Sequence, residues 1–359
     1  MTDIAARRLR AQRLTGEPFA AAVDAVRWLG AVQSQDFPGA KWALAQRTAG
    51  ATEAELDRLF DEGAVLRTHV MRPTWHFVLP EDIRWLLELT GPRVRVGLAG
   101  RYRQLEIDEG VIARAGAAFA AALAGGCHLT RPELGEVLST AGISPEGQRL
   151  PHLLSAAELD GLIASGPRRG KQLTYALLAE RAPGARSLER TEALAELTRR
   201  YFRSHGPAQL QDFVWWSGLT MADARAGIDV VGAQLGHQVV EDREYWFDAE
   251  AAGNSDVAAV SHLLPNFDEY TVAYRDRAAL LHPDHPPDPA LFSFGSILSN
   301  VVTFAGRVRG AWRRTFEREV ARVEVRLIDR LDPGEAAAVE EAGRRLGRFL
   351  GRPLELRWA

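Results

Sequence analysis

The chain has 359 residues, more than one ordinary core, and domains of about 100–200 residues imply two to four units. Its 46% apolar and 25% charged residues are the composition of a globular protein and argue against an intrinsically disordered one. A net charge of −3 argues against a polycation that coats nucleic acid, and a single cysteine, Cys127, excludes a disulfide framework or a cysteine-based zinc cluster.

The first residues, MTDIAARRLRAQRL, lack the apolar core of a secretory signal. No apolar run reaches the ~18–20 residues of a membrane span, so a cytoplasmic protein without membrane contact is expected. Residues 3–13 read as a short helix bearing Arg7, Arg8 and Arg10, and Val23, Val26 and Leu29 give residues 18–31 helical spacing. After a break at 36–39, helices are predicted at 41–48 and 52–61, the second opened by Thr52 and Glu55 as a capping box. Residues 65–80 alternate like two strands, with a turn near Arg72 and Pro73. Helices followed by a two-stranded wing are the order of a winged helix-turn-helix.

That order recurs. A helix at 111–124 precedes one capped by Thr130 with Pro132 early in it, then a helix at 149–160. Strands at 163–166 and 172–175 flank a basic turn holding Arg168, Arg169 and Lys171. A third round has a helix at 188–204, a helix and turn at 208–219, a helix at 220–234 and short strands at 237–248. Beyond about 256 the segments SHLLPNFDEYTVAY, ILSNVVTFAGRVRGAWRRT and EVARVEVRLI are β-rich, and 334–350 is a final helix. The expected fold is α+β and mainly helical. Three tandem winged helix-turn-helix units span 1–105, 106–182 and 183–252, and a β-rich C-terminal region spans 253–359.

Common catalytic signatures are absent: there is no P-loop, no GxGxxG after a strand, no HExxH and no GxSxG. The nine histidines have no metal-ligand spacing, so neither a metal nor an organic cofactor is expected. One cluster stands out, Gln33-Ser34-Gln35-Asp36, directly after an apolar helix. In an extended segment Gln33 and Gln35 would point to one side, where two amides can share a water or bracket a sugar. Taken alone, such a pair more commonly caps a helix or meets solvent. His76 is either a buried histidine bonded to backbone or a site residue that orients a water or a phosphate. Trp75 is either core or a platform for a base, and Arg72 could hold a phosphate. Arg168, Arg169 and Lys171 form either a solvated turn or a sequence-independent contact to the DNA backbone. Arg307 and Arg309, with Arg313 and Arg314, flank a late hairpin and pose the same choice. Phe213, Trp215 and Trp216 read as core, and Cys127 as a small buried residue.

The chain resembles the winged-helix DNA glycosylases of the AlkZ/YcaQ type. Gln33-Ser34-Gln35 matches the Gln-x-Gln motif of the AlkZ-like branch, where the YcaQ branch has Asp at the second position. Arg72-Pro73-Thr74-Trp75-His76 matches Arg-Gly-Thr-x-His, with Pro73 in place of Gly. Gly206-Pro207-Ala208 and residues 212–219 match Gly-Pro-Ala-Thr…Asp-Phe-x-x-Trp-x-Gly-Leu. Leu264-Pro265-Asn266-Phe267-Asp268-Glu269-Tyr270 matches Leu-Pro-x-Phe-Asp-x-Tyr, and 306–312 resembles Gly-x-x-x-Gly-x-Trp.

The resemblance implies a monofunctional DNA glycosylase that hydrolyses the N-glycosidic bond of N7-alkylated purines. Bulky adducts and interstrand crosslinks of genotoxic natural products are included. It makes Gln33 and Gln35 the catalytic residues that hold the attacking water. Asp36 and Asp268 are candidates for a negative field, and Lys41 is the lysine nearest the motif that could support a lyase step. The implied partner is duplex DNA with alkylated purines, bound by a monomer that needs no other protein. The rival reading is a non-catalytic winged-helix DNA-binding protein, either a transcription regulator or one that sequesters adducts or toxin.

Overall fold

Residues 3–251, 259–281, 300–317 and 319–359 are described in a computed structural model of the chain. The start of one predicted β-rich stretch, 297–299, lies outside the described residues. The chain forms α1 (Ile4–Ala11), α2 (Ala22–Leu29), the extended pair β1 (Val32–Gln33), α3 (Phe37–Ala45) and α4 (Glu53–Glu62). The hairpin β2 (Leu66–His69) and β3 (Trp75–Val78) leads to α5 (Ile83–Gln104), α6 (Glu109–Leu123), β4 (Leu129–Thr130), α7 (Arg131–Thr140) and α8 (Arg149–Leu159). A second hairpin, β5 (Ile163–Arg169) and β6 (Gln172–Leu177), precedes α9 (Leu178–Arg181), α10 (Arg190–His205), α11 (Leu210–Ser217) and α12 (Met221–Val231). Then come β7 (Leu235–Val240), β8 (Arg243–Asp248), β9 (Ser261–Leu264), α13 (Glu269–Val272), β10 (Val301–Phe304), β11 (Arg307–Glu317), β12 (Val320–Leu327), α14 (Pro333–Leu350) and β13 (Leu354–Trp358).

The fold is a mixture of helix and strand, about half of it helical. Local signals set many helix starts. Side chains of Asp3, Asp36 and Asp108 cap α1, α3 and α6. Capping boxes open α7 (Thr130 and Glu133), α12 (Thr220 and Asp223) and α14 (Asp332 and Glu335). Among the described elements α5, α9 and β13 had no expectation in the sequence, and α13 is a helical turn within a stretch that reads as β-rich. The 22-residue α5 carries Pro92 inside it, a residue that normally ends a helix. Buried Ile83, Trp85, Leu86, Leu87 and Leu89 anchor its first half, and packing outweighs propensity there. The strand β13 is short and half-polar, and it exists because it pairs in parallel with β12.

The chain packs as two units. The first comprises Met1–Leu56, Ala195–Trp216 and Thr220–Ala359. Its largest sheet has the order β13-β12-β11-β10-β9, antiparallel except for the β12–β13 pair, and α14 is the crossover between those two. Leu9, Leu14, Leu264, Tyr270, Leu280, Val301 and Val308 form an apolar cluster in this unit. Gly310 is obligatory in that sheet, since a Cβ there would lie 2.2 Å from the carbonyl oxygen of Arg326.

The second unit comprises Asp57–Leu194 and Ser217–Leu219. It holds the β2–β3 hairpin, α5 and the series α6, β4, α7, α8, β5 and β6. In that series β4 and β5 flank β6 in one antiparallel sheet. Phe119, Leu123, Leu134, Leu138, Leu153, Leu154 and Ile163 form its core.

Two sealed histidines link this packing to acid stability. In the first unit His262 donates from Nε2 to the Leu14 carbonyl at 2.9 Å, and burial pushes its pKa down to about 3. In the second, burial and the nearby Arg72 hold His76 well below its ordinary value. Both pKa values are depressed in the folded chain, so the unfolded chain binds the extra protons. Stability is therefore complete above about pH 6.5 and declines as pH falls toward the folded values. One pH unit below 6.5 each imidazole costs about 1.4 kcal/mol. Urea midpoints should be flat from pH 8 to 7 and fall steadily below 6.5; a flat profile down to pH 5.5 would refute this account.

Candidate active site

The glutamine motif lies between α2 and α3. Gln33 ends β1 and is 5% exposed, Ser34 is buried, and Gln35 is exposed in the bend that enters α3. The strand stops at Gln33, so regular alternation does not put both amides on one face, and the extended-segment argument lapses. Tertiary anchors fix the segment instead. The Gln33 main-chain N–H donates to Glu269 Oε1 at 2.7 Å. Three residues on, Asp36 caps α3 by accepting from the Gly39 N–H at 3.1 Å, and its other oxygen accepts from Asn266 Nδ2 at 3.0 Å. Gly39 suits this cap, because a Cβ there would meet Asp36 Oδ2 at 2.8 Å. The main chain is thus held on both sides of Gln35 by residues from one turn.

That turn follows β9, and its residues have separable duties. The indole N–H groups of Trp42 and Trp312 donate to the carbonyls of Leu263 and Leu264 at 2.7 and 2.8 Å. Phe267 sits at φ 59°, which brings the chain back toward α13. Asp268 starts α13 by accepting from the Tyr270 N–H and is gripped by both terminal nitrogens of Arg47 at 3.0 and 2.8 Å. Arg47 is fully buried and also donates to the Gln12 and Ala43 carbonyls and to Gln12 Oε1. The Tyr270 hydroxyl donates to the Gly306 carbonyl at 2.9 Å. Asp268 is therefore part of a neutralised internal ion pair, and its partner is Arg47.

Glu269, next along, is fully buried, and its other oxygen accepts from Trp216 Nε1 at 2.9 Å. His205 Nε2 stands 3.5 Å from the same oxygen. Ser204 donates its hydroxyl to the Arg200 carbonyl and so accepts from His205 Nδ1 at 2.7 Å. That assigns the histidine proton to Nδ1 and leaves Nε2 bare. Burial lowers the His205 pKa, outweighing the pull of Glu269, so the imidazole is neutral near pH 7.

In the second unit, Arg72 is half-buried beside the hairpin turn. His76 is fully buried, with Nδ1 on the Thr74 carbonyl at 3.0 Å. Trp75 lies 4.3 Å from the His69 ring, and the Arg67 guanidinium sits 4.2 Å over its indole. His69 is hydrogen-bonded to the buried Glu158 carboxylate. Burial pushes the Arg67 pKa down to about 10 and raises that of the Tyr175 phenol. Arg67, Trp75, Glu158 and Tyr175 line a cavity of about 340 Å³. Of these residues the sequence singles out Trp75 alone; nothing in it marks Arg67, His69, Glu158 or Tyr175.

Most of the predicted basic contacts are engaged within the chain. Arg168 pairs with Asp57 and Asp61, both at 2.8 Å, and Arg169 with Glu133 at 2.6 Å. Arg309 pairs with Asp329 and Glu335 at 3.1 and 2.6 Å. Arg307 donates to the Leu281 carbonyl at 3.0 Å and faces Asp3 at 3.6 Å. Lys171 is exposed, whereas Lys41 is buried and paired with Glu53 at 3.0 Å. Two minor expectations change: Cys127 is exposed, and Trp215 is 40% exposed with its N–H on the Val272 carbonyl at 2.9 Å. Among the described residues no group of three or more His, Cys, Asp or Glu is arranged for a metal ion, and no helix is long and apolar enough to cross a membrane.

A family model described as "DNA glycosylase AlkZ-like" matches residues 26–349, a span that includes the glutamine motif and the 264–270 turn. The chain is 27% identical over 327 residues to an interstrand DNA cross-link repair glycosylase of Streptomyces sahachiroi, and the match covers 85% of each protein. Among solved structures it is similar to the DNA glycosylase AlkZ of Streptomyces sahachiroi, with a TM-score of 0.82 and 23% identity over 99% of this chain and 98% of that one. At that identity the structural likeness speaks for the fold.

Proposed function

The chain belongs to the AlkZ-like DNA glycosylase family, and from that premise we propose that it hydrolyses the N-glycosidic bond of N7-alkylated purines in duplex DNA. By analogy with the cross-link repair relative, interstrand crosslinks through purine N7 fall within its substrates. The observation that carries the reading is the anchored Gln33–Gln35 segment: its main chain is fixed by Glu269 before Gln35 and by Asp36 and Asn266 after it.

The chemistry asks little of an acid. Alkylation at N7 puts positive charge on the purine, so the bond from C1′ to N9 breaks with the electron pair leaving to the base. The sugar becomes oxocarbenium-like, and a water adds at C1′ as its proton passes to bulk solvent. Gln33 and Gln35 hold that water through their amide oxygens, which is positioning work. The reaction is monofunctional in this reading, which the burial of Lys41 and its pairing with Glu53 at 3.0 Å support. Three winged-helix units supply the duplex-binding framework, in chain order the elements around α2–β3, α6–β6 and α10–β8. The protein acts as a monomer.

The test uses a duplex carrying one N7-methylguanine and a second duplex crosslinked through guanine N7. Free base and an alkali-labile abasic site are expected from the first, unhooking from the second, and no strand scission without alkali. Strand cleavage at neutral pH would refute the monofunctional assignment. Binding to both duplexes without base release would leave a DNA-binding protein in its place.

A further inference from the structure

We propose that Glu269 is the carboxylate that supplies the negative field for the cationic sugar, acting through Gln33 as a positioning residue. The inference rests on the glycosylase reading and deepens it. An oxocarbenium-like sugar is stabilised by a fixed, uncompensated negative charge, and the carboxylates nearest the motif in sequence do not offer one.

Asp36 is half-exposed, spends its oxygens on the Gly39 N–H and Asn266, and stands in the field of Arg314. Glu53 is paired with Lys41, Asp268 with Arg47, and Asp212 faces Arg8 at 3.5 Å. Glu269 differs from all of them. Both of its oxygens accept from neutral N–H groups, the Gln33 main chain and the Trp216 indole, at 2.7 and 2.9 Å. Its other close neighbour among the described residues is the neutral imidazole of His205, 3.5 Å away. A charge that accepts at both oxygens and has no described cation in direct contact projects outward. Full burial keeps water from screening it. The first group in its path is Gln33 itself, whose N–H it polarises.

The charge can be removed without removing the shape. In Glu269→Gln the amide oxygen still accepts from the Gln33 N–H, and the new NH₂ can donate to the bare His205 Nε2. Only the Trp216 N–H loses its acceptor. Single-turnover excision of N7-methylguanine should fall by roughly ten- to hundredfold, as for loss of a preorganised electrostatic group. Duplex affinity should stay near wild type, and the melting temperature should fall only by the cost of the unpaired Trp216 N–H, far too little to account for the loss of rate. Trp216→Phe removes a bond to Glu269 while keeping the charge, and its rate should stay within about threefold of wild type, below the scale of a lost electrostatic group. Glu269→Asp, charged but shorter, should recover part of the rate lost in the amide variant.

An active wild type with an equally active Glu269→Gln overturns the proposal alone. So does a rate that drops only in step with affinity or melting temperature, or a Trp216→Phe as slow as Glu269→Gln. A wild type that releases no base removes the glycosylase reading, and this proposal with it.

Discussion

Gln33→Ala/Gln35→Ala should excise N7-methylguanine at least about a hundredfold more slowly than wild type, with duplex affinity within a few-fold and a melting temperature lowered only by the packing lost at the buried Gln33. The anchors predict this separation of rate from stability. Glu269 grips the main-chain N–H of Gln33, so truncating the side chain leaves that bond in place. Gln35 is exposed, so its removal opens no cavity. What disappears is the pair of amides that we propose to hold the water. Circular dichroism, a duplex titration and single-turnover kinetics on the same preparation decide the matter. Equal rates for wild type and double variant would show that the water is held elsewhere.

The second large effect is thermodynamic. Arg47→Met should lower the stability of the first unit by about 3–5 kcal/mol, because it leaves Asp268 buried without its cation. For a unit of this size that corresponds to a drop in Tm of very roughly 10 °C. Arg47 is fully buried and binds Asp268, Gln12 and the Ala43 carbonyl, so each partner is left unsatisfied. Adding Asp268→Asn removes the stranded charge, and Arg47→Met/Asp268→Asn should regain part of the loss. A single variant within about 1 kcal/mol of wild type would contradict the account, since a lost surface pair costs no more than that. The same change should slow excision, because Asp268 caps α13, whose first residue, Glu269, anchors Gln33.

The elements were largely legible because their signals are local. Caps at Asp108, Thr130, Thr220 and Asp332 mark four helices, alternation marks the β2–β3 hairpin, and a basic turn between two strands marks β5–β6. Where local and tertiary signals disagree, as at Pro92 in α5, packing decides, and nothing near Pro92 announces it. The candidate site divides the same way. Gln33 and Gln35 stand side by side in the sequence. Glu269 lies 236 residues from Gln33, in a motif whose neighbouring Asp268 drew the attention instead. One carboxylate meets an arginine and the other meets neutral N–H groups, and only the fold distinguishes them. The basic residues show the converse: Arg168, Arg169 and Arg309 read as free cations in the sequence, yet each is met by a carboxylate brought from elsewhere in the chain.

The grip on Gln33 is exerted on its backbone, and the grips at Asp36 fall one residue beyond Gln35. An exchange of the exposed Gln35 therefore leaves every one of these grips in place, whereas an exchange of the buried Gln33 alters packing as well as whatever its amide does.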